Sequence, residues 1–279
     1  MILDGQKNAD IIKRKISEEV SRIKEDILLV ILMVGKNPAS AIYVANKEKA
    51  CEFVGIKSRI YQFDENISQK EIIKTIEECN KDDKVTGILV QLPLPNHLNA
   101  NVILDAIDPN KDVDGLNIVN QGKLQKGLPC IEPATPKGVI TLLKNNNIEI
   151  AGKNVVIVGR SFLVGRPLAA LFLKENATVT VCHSKTNNLK EHTKKADILC
   201  VAIGKAKFIT DDMVKKDVVV VDIGTNRVAG KLCGDVDFEK VSEIASYISP
   251  VPKGVGPMTI ASLLQNVMTC YKIQKNIID

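Results

Sequence analysis

"VVIVGRSFLVGRPLAALFL", residues 155–173, decides the fold. Val155 to Val158 make a short β-branched strand, Gly159 supplies a turn, and from Gly165 the apolar residues recur at helical spacing. A strand that passes through a glycine turn into a helix aims backbone amides and the helix N-terminus at one point, where a phosphate can sit. The glycines fall at 159 and 165, giving GxxxxxG and not GxGxxG. A P-loop is excluded because Arg166-Pro167 follows Gly165 where Lys-Ser/Thr is needed. Taken alone, the turn suits a purely structural strand–turn–helix equally well.

The neighbouring segments place it. "KNVVIVG", "ATVTVCHS", "DILCVAIG", "VVVVDIG" and "SYISPVP" are β-rich and end in small or polar residues, at the spacing of one Rossmann-like domain. An NAD-preferring site of this kind carries an Asp or Glu at the end of its second strand, on the ribose hydroxyls. Here "VTVCHSKT" offers Ser184 and Lys185, with Arg160 and Ser161 in the first turn. Cations and hydroxyls without a carboxylate favour the 2′-phosphate of NADP.

The first half alternates in the same way. An amphipathic segment near 6–25 precedes an apolar strand at 27–34, a helix around Lys47 and a strand near 57–62. A helix over 68–80, opened by a Ser68–Glu71 capping box, leads to the strand in "VTGILVQLPLP". Strands alternating with helices predict parallel, doubly wound sheets. "DPNKDVDGLN" and "GLPCIEPATPKG" are turn-rich, as a crossing between domains is, and a helix at 138–149 opens the second alternation. A closing helix at 259–271 carries the stripe Ile260, Leu263, Leu264, Val267, Met268 and Tyr271, which must pack somewhere. The expected fold class is α/β in two domains. An N-terminal α/β catalytic domain covers 1–137 and is completed by a returning C-terminal helix, 258–279; a Rossmann-like NADP-binding domain covers 138–257.

Composition narrows the function. With 279 residues, 45% hydrophobic and 25% charged, the chain reads as an ordinary globular protein. Its net charge of +5 is mild, with no dense basic run, so small anionic ligands fit and nucleic acid does not. The apolar run at 27–34 is too short to span a bilayer, and the N-terminus has no export pattern, which predicts a cytoplasmic protein without a membrane partner. Seven scattered cysteines without a CxxC pair, and three histidines that form no cluster with them, predict free thiols and no metal site.

"SAIYVANKEKACEFVGI", 40–56, poses a separate question. Ser40, Tyr43, Lys47, Ala50, Cys51 and Val54 share one helical face, so Lys47 stands in line with residues that should pack. Either its stem packs while the ammonium snorkels to water, or it is a partly buried amine with a lowered pKa, useful for moving protons. The local sequence leaves both open.

Several motifs in one order are more specific than any alone. "YVANKEKACEFVGI", "GILVQLPLP", "KDVDGLN", "ATPKGVI", "GRSFLVGRPLAALF", "VTVCHSKT" and "PVPKGVGPMT" span almost the whole chain. Together they closely resemble the methylenetetrahydrofolate dehydrogenase/methenyltetrahydrofolate cyclohydrolase family. The resemblance implies a folate cleft between the domains, catalytic residues Lys47, Tyr43, Gln91 and Asp114, and folate contacts from Ser40, Tyr43, Asp114, Pro252, Gly256, Pro257 and Thr259. It implies NADP as cofactor, held by Gly159, Arg160, Ser161, Ser184 and Thr225, and a homodimer. Three positions depart from the family pattern: Ala134 stands for a cysteine, Thr225 for an aliphatic, and Lys253 for a glycine whose conformation a lysine tolerates poorly. Tyr-x-x-x-Lys is also the catalytic pair of short-chain dehydrogenases, but there it follows the nucleotide turn, whereas Tyr43 long precedes Gly159.

Overall fold

The computed structural model describes residues 1–277, with Ala39 described by its backbone alone. The chain forms two compact units: Ile11–Ala134 with the chain from Ile260 on, and Met1–Asp10 with Thr135–Thr259. By their contacts, residues 1–10 group with the second unit. The cause is backbone pairing, since Leu3 N donates to Ile248 O at 2.9 Å and Ile248 N to Met1 O at 3.0 Å.

Helix α1 (Gly5–Val20), which enters the first unit at Ile11, leads into β1 (Leu28–Val34), α2 (Pro38–Val54), β2 (Lys57–Phe63), α3 (Gln69–Lys81) and β3 (Gly87–Val90). The strands make a parallel sheet in the order β2–β1–β3. All seven residues of β1 are buried, as a central parallel strand covered on both faces requires. The Ser68–Glu71 capping box forms as expected, a motif that contributes about 1 kcal/mol. Helices α4 (Ala100–Asp105) and α5 (Ile118–Gln125) follow. Between them residues 111–113 run beside β3, with Ile88 N donating to Lys111 O at 2.7 Å. Gly87 permits that approach, because a Cβ there would lie 2.3 Å from Val113 Cγ1.

In the second unit α6 (Ala134–Asn145), β4 (Asn154–Val158), α7 (Gly165–Lys174), β5 (Thr178–Cys182), α8 (Leu189–Thr193), β6 (Ile198–Val201) and β7 (Val219–Asp222) follow in turn. An antiparallel hairpin, β8 (Asn226–Val228) and β9 (Lys231–Cys233), then precedes α9 (Phe238–Ser242) and β10 (Tyr247–Ile248). The five parallel strands are ordered β10–β7–β6–β4–β5 around a core that includes Val156, Leu199, Val201 and Val220. The closing helix α10 (Val255–Gln274) continues into the first unit. There Asn266 Nδ2 donates to Val113 O at 2.9 Å and Glu132 O at 2.8 Å.

Two helices start earlier than their sequence suggests, and for one reason. Pro136 and Pro257 read as loop residues, yet each lies in the first turn of its helix, where a missing amide costs no hydrogen bond. Lys253, just before α10, has φ +79°. A side chain in the left-handed region costs about 1–2 kcal/mol, part of which glycine returns as unfolded-state entropy. Lys253→Gly is expected to stabilise the protein by about 0.5–1 kcal/mol and to raise Tm by about 1–4 °C, measured calorimetrically. Lys253→Ala keeps the Cβ and should show no such gain; equal shifts for the two variants would refute a strain confined to this residue.

Candidate active site

On α2 the expected stripe is buried at Ser40, Lys47, Ala50, Cys51 and Val54, but Tyr43 is 43% exposed. Ala41 and Ile42 beside it are exposed too, and in this turn the buried face runs through Ser40 and Val44. Tyr43 is a surface-accessible phenol and not a core aromatic.

Lys47 is only 9% exposed, and its ammonium does not reach out to water. Nζ donates to Gln91 Oε1 at 3.0 Å. Gln91 follows β3, where its amide continues the ladder to Leu32 O at 2.8 Å. Its Nε2 donates to Leu92 O at 2.6 Å, which turns Oε1 toward the lysine. Burial lowers the pKa of Lys47, and the charges of Asp114 and then Cys51 oppose that shift. Cys51 offers no nucleophile, because burial pushes its thiol up to about 12.

Asp114 is raised by its own burial and pulled back by Lys47, so the two feel each other's charge. The loop that carries it is tightly held. Lys111 Nζ caps the end of α3 by donating to the carbonyls of Cys79, Asn80 and Asp82 at 2.9–3.1 Å. Asp112 accepts from Asn117 N at 2.8 Å and Asn120 Nδ2 at 3.0 Å; burial nevertheless pushes it up to about 6. Gly115 has φ +66° and sits so close to Ile131 and Glu132 that a Cβ would lie 2.7 Å from their backbone. Sequence reasoning picked out Asp114 alone from this loop. The partners of Lys111, Asp112, Asn117 and Asn120 become visible only once the chain is folded.

In the other unit the glycine turn explains its unusual spacing. Gly159 has φ +131°, and a Cβ on it would lie 2.3 Å from Ala202 O. A Cβ on Gly165 would lie 2.1 Å from Gly159 O, so the two glycines touch backbone to backbone across the turn. Ser161 Oγ accepts from Val164 N at 3.1 Å and shapes the entry to α7. Arg160, Ser161, Ser184, Lys185 and Thr225 are all exposed. A bare backbone cradle, with a cation and hydroxyls after β4 and β5 and no carboxylate among these residues, fits the phosphates of NADP. Pro252, Gly256, Pro257 and Thr259 also belong to this unit. Thr259 Oγ1 lies 3.0 Å from Thr135 Oγ1, while Pro252 and Gly256 are exposed.

Two buried carboxylates here escaped the sequence reading. Asp222 accepts from the amides of Gly224, Asp235 and Val236 at 2.9–3.1 Å. Burial, reinforced by the charge of Asp235, pushes it up to about 7 against those hydrogen bonds. Asp235 is fully buried and accepts from Ile203 N, Gly204 N, Lys205 N and Asn226 Nδ2 at 2.6–3.0 Å. Among the described residues no group of three or more His, Cys, Asp or Glu is arranged to hold a metal, and no helix is long and apolar enough to cross a membrane.

Comparison with known proteins agrees with both halves of this geometry. Residues 3–114 match the model of the tetrahydrofolate dehydrogenase/cyclohydrolase catalytic domain, and residues 133–275 that of the NAD(P)-binding domain of the same family. The bifunctional protein FolD of Bacillus anthracis is 49% identical over 98% of this chain and 96% of its own length. The crystal structure of the bifunctional FolD enzyme from Campylobacter jejuni superposes with a TM-score of 0.96 at 48% identity, covering 98% and 99% of the two chains. A Trypanosoma brucei methylenetetrahydrofolate dehydrogenase-cyclohydrolase, solved with NADP and an inhibitor, gives 0.94 at 35% identity, covering 98% and 97%. The chain belongs to the tetrahydrofolate dehydrogenase/cyclohydrolase family.

Proposed function

We propose that this chain oxidises 5,10-methylenetetrahydrofolate with NADP and hydrolyses the methenyl product to 10-formyltetrahydrofolate, with Lys47, Tyr43, Gln91 and Asp114 as its catalytic set. The observation that carries the reading is the buried Lys47 amine on Gln91 Oε1 at 3.0 Å, within the field of Asp114. NADP, when bound, supplies the hydride acceptor. Gly159, Arg160, Ser161, Ser184 and Thr225 hold it, the backbone turn taking the pyrophosphate and Arg160, Ser184 and Lys185 favouring the 2′-phosphate.

The remaining steps follow from the chain's own side chains. A pterin presents a ring N–H and an amino group along one edge, which the Asp114 carboxylate accepts together. Ser40, Tyr43, Pro252, Gly256, Pro257 and Thr259 complete the folate contacts. Oxidation leaves a cationic methenyl carbon, which water attacks before one carbon–nitrogen bond opens. Lys47, whose burial biases it toward the neutral amine, takes one proton from that water and passes it to the departing nitrogen, while the other leaves to solvent as the formyl carbonyl forms. Gln91 orients the amine, and Tyr43 places its phenol beside the water and the folate. A cytoplasmic homodimer, with neither nucleic acid nor membrane as partner, belongs to the same proposal; the mild net charge supports the lack of a nucleic-acid partner and the free cysteines a reducing compartment, while the dimer rests on the family resemblance.

Absorbance of the methenyl product, followed with methylenetetrahydrofolate and either NADP or NAD, tests the reading directly. Replacing Arg160 and Ser184 together by alanine should raise the KM for NADP about ten- to a hundredfold, the worth of one or two charge-assisted hydrogen bonds. The KM for NAD should barely move; equal losses with both nucleotides would displace the 2′-phosphate site. Lys47→Met keeps the apolar stem and should cost hydrolysis about 10²–10⁴-fold. Some dehydrogenation should survive, so the methenyl intermediate would accumulate. Wild-type hydrolysis by folded Lys47→Met would leave Lys47 a packing residue only.

Asp114→Asn should weaken folate binding by about 1–3 kcal/mol, because it turns one acceptor into a donor facing a donor. NADP affinity should be unchanged. The same substitution removes the charge that raises the pKa of Lys47. The rising limb of hydrolysis against pH should therefore move to lower pH. A limb that stays in place would show that Lys47 does not set it.

A further inference from the structure

We propose that Asp235 is a positioning residue for the dehydrogenase step, its carboxylate holding the 203–205 turn against the glycine turn that takes the NADP phosphates. The inference rests on the functional reading given above. Asp235 lies two residues after the end of β9 and is fully buried. Oδ2 accepts from Ile203 N at 2.6 Å and Gly204 N at 3.0 Å, and Oδ1 from Lys205 N at 2.8 Å and Asn226 Nδ2 at 2.8 Å. One carboxylate thus gathers three consecutive amides from the loop after β6 and a side chain at the start of β8.

That loop is the floor of the phosphate turn. Ala202 N donates to Val158 O at 2.8 Å, and Ala202 O lies so close to Gly159 that no Cβ could stand between them. Residues 202–205 thus back onto Gly159, whose own N–H is held by Cys182 O at 2.9 Å and from which the turn toward the pyrophosphate departs. Doubly wound sheets bind nucleotides at this carboxyl end of the strands. Asp235 is itself anchored from beneath, since its N–H and that of Val236 donate to Asp222 at 3.0 and 2.9 Å. Gly224 and Gly234 make room for the two carboxylates. A Cβ at Gly224 would lie 2.1 Å from Asp235 Cγ, and one at Gly234 1.8 Å from Asp222 Oδ2.

A purely structural role would weaken both activities of the enzyme together. A positioning role separates them, because hydrolysis of supplied methenyltetrahydrofolate consumes no nucleotide. Asp235→Asn keeps the volume but turns an NH₂ toward amides that themselves donate. Its KM for NADP, and its Kd by calorimetry without folate, should rise about ten- to a hundredfold. Hydrolysis of methenyltetrahydrofolate should stay within about twofold of wild type, and hydrogen exchange should quicken at the 203–205 amides. Should that variant fold poorly, Asn226→Ala removes one of the four hydrogen bonds and should raise the NADP KM about two- to fivefold. Unchanged NADP affinity in a folded variant, or equal losses in the two activities, would overturn the inference. Wild-type protein lacking both activities would overturn the functional reading, and this inference with it.

Discussion

Parallel strands finish at a common edge, and the polar backbone that leaves them there has no ladder partner of its own. Water, a ligand or a side chain must supply one, because a buried amide left unpaired costs about 1–3 kcal/mol. The chemistry in each unit follows from how that edge is satisfied. After β3, Gln91 extends the ladder by one bond and then turns its side chain to Lys47. After β4, Gly159 keeps one bond to Cys182 O and leaves a bare turn behind it. After β6 and β7, Asp235 and Asp222 take up the free amides with buried carboxylates. Where the edge is filled by side chains the loops are fixed; where glycine leaves it open, a phosphate has donors waiting.

Much of this was legible in the sequence. The continuous apolar run of β1, the Ser68–Glu71 capping box and the strand–glycine–helix order at 155–173 each act through near neighbours, so a linear reading finds them. The order of the motifs singled out Lys47, Gln91 and Asp114 before any contact was known, and the fold brings Lys47 onto Gln91 and into the field of Asp114. Tyr43 stands exposed although it shares the periodicity of that stripe, because the next residue, Val44, takes the buried place in its turn, a one-position shift that periodicity alone does not resolve.

What stayed hidden depends on contacts between residues far apart in the chain. The hairpin at 226–233 has strands of three residues, too short for any alternation to show. The backbone of Met1 and Leu3 pairs with Ile248, a contact that no linear reading shows. Asp222 and Asp235 read as ordinary strand-end and turn residues. Their importance arises only when loops after different strands are brought together, with Gly224 and Gly234 small enough to admit the carboxylates. Asn266 is a polar residue in an apolar helix whose two carbonyl partners lie more than a hundred residues away.

The choice of an amide as the partner of Lys47 has a chemical logic. A carboxylate at hydrogen-bond distance would favour the ammonium and raise the pKa, leaving the amine charged and unable to accept a proton. Gln91 supplies the same directional acceptor without a net charge, so burial is free to lower the pKa. Asp114 opposes that effect through its field, and burial of the lysine is the larger of the two. In the proposed mechanism a methenyl cation beside Lys47 would push the balance further, since two positive charges in a poorly solvated space repel strongly. Under the mechanism proposed above, the lysine would lose its charge most readily with the cation to be hydrolysed in place, so that the substrate would itself make the base available.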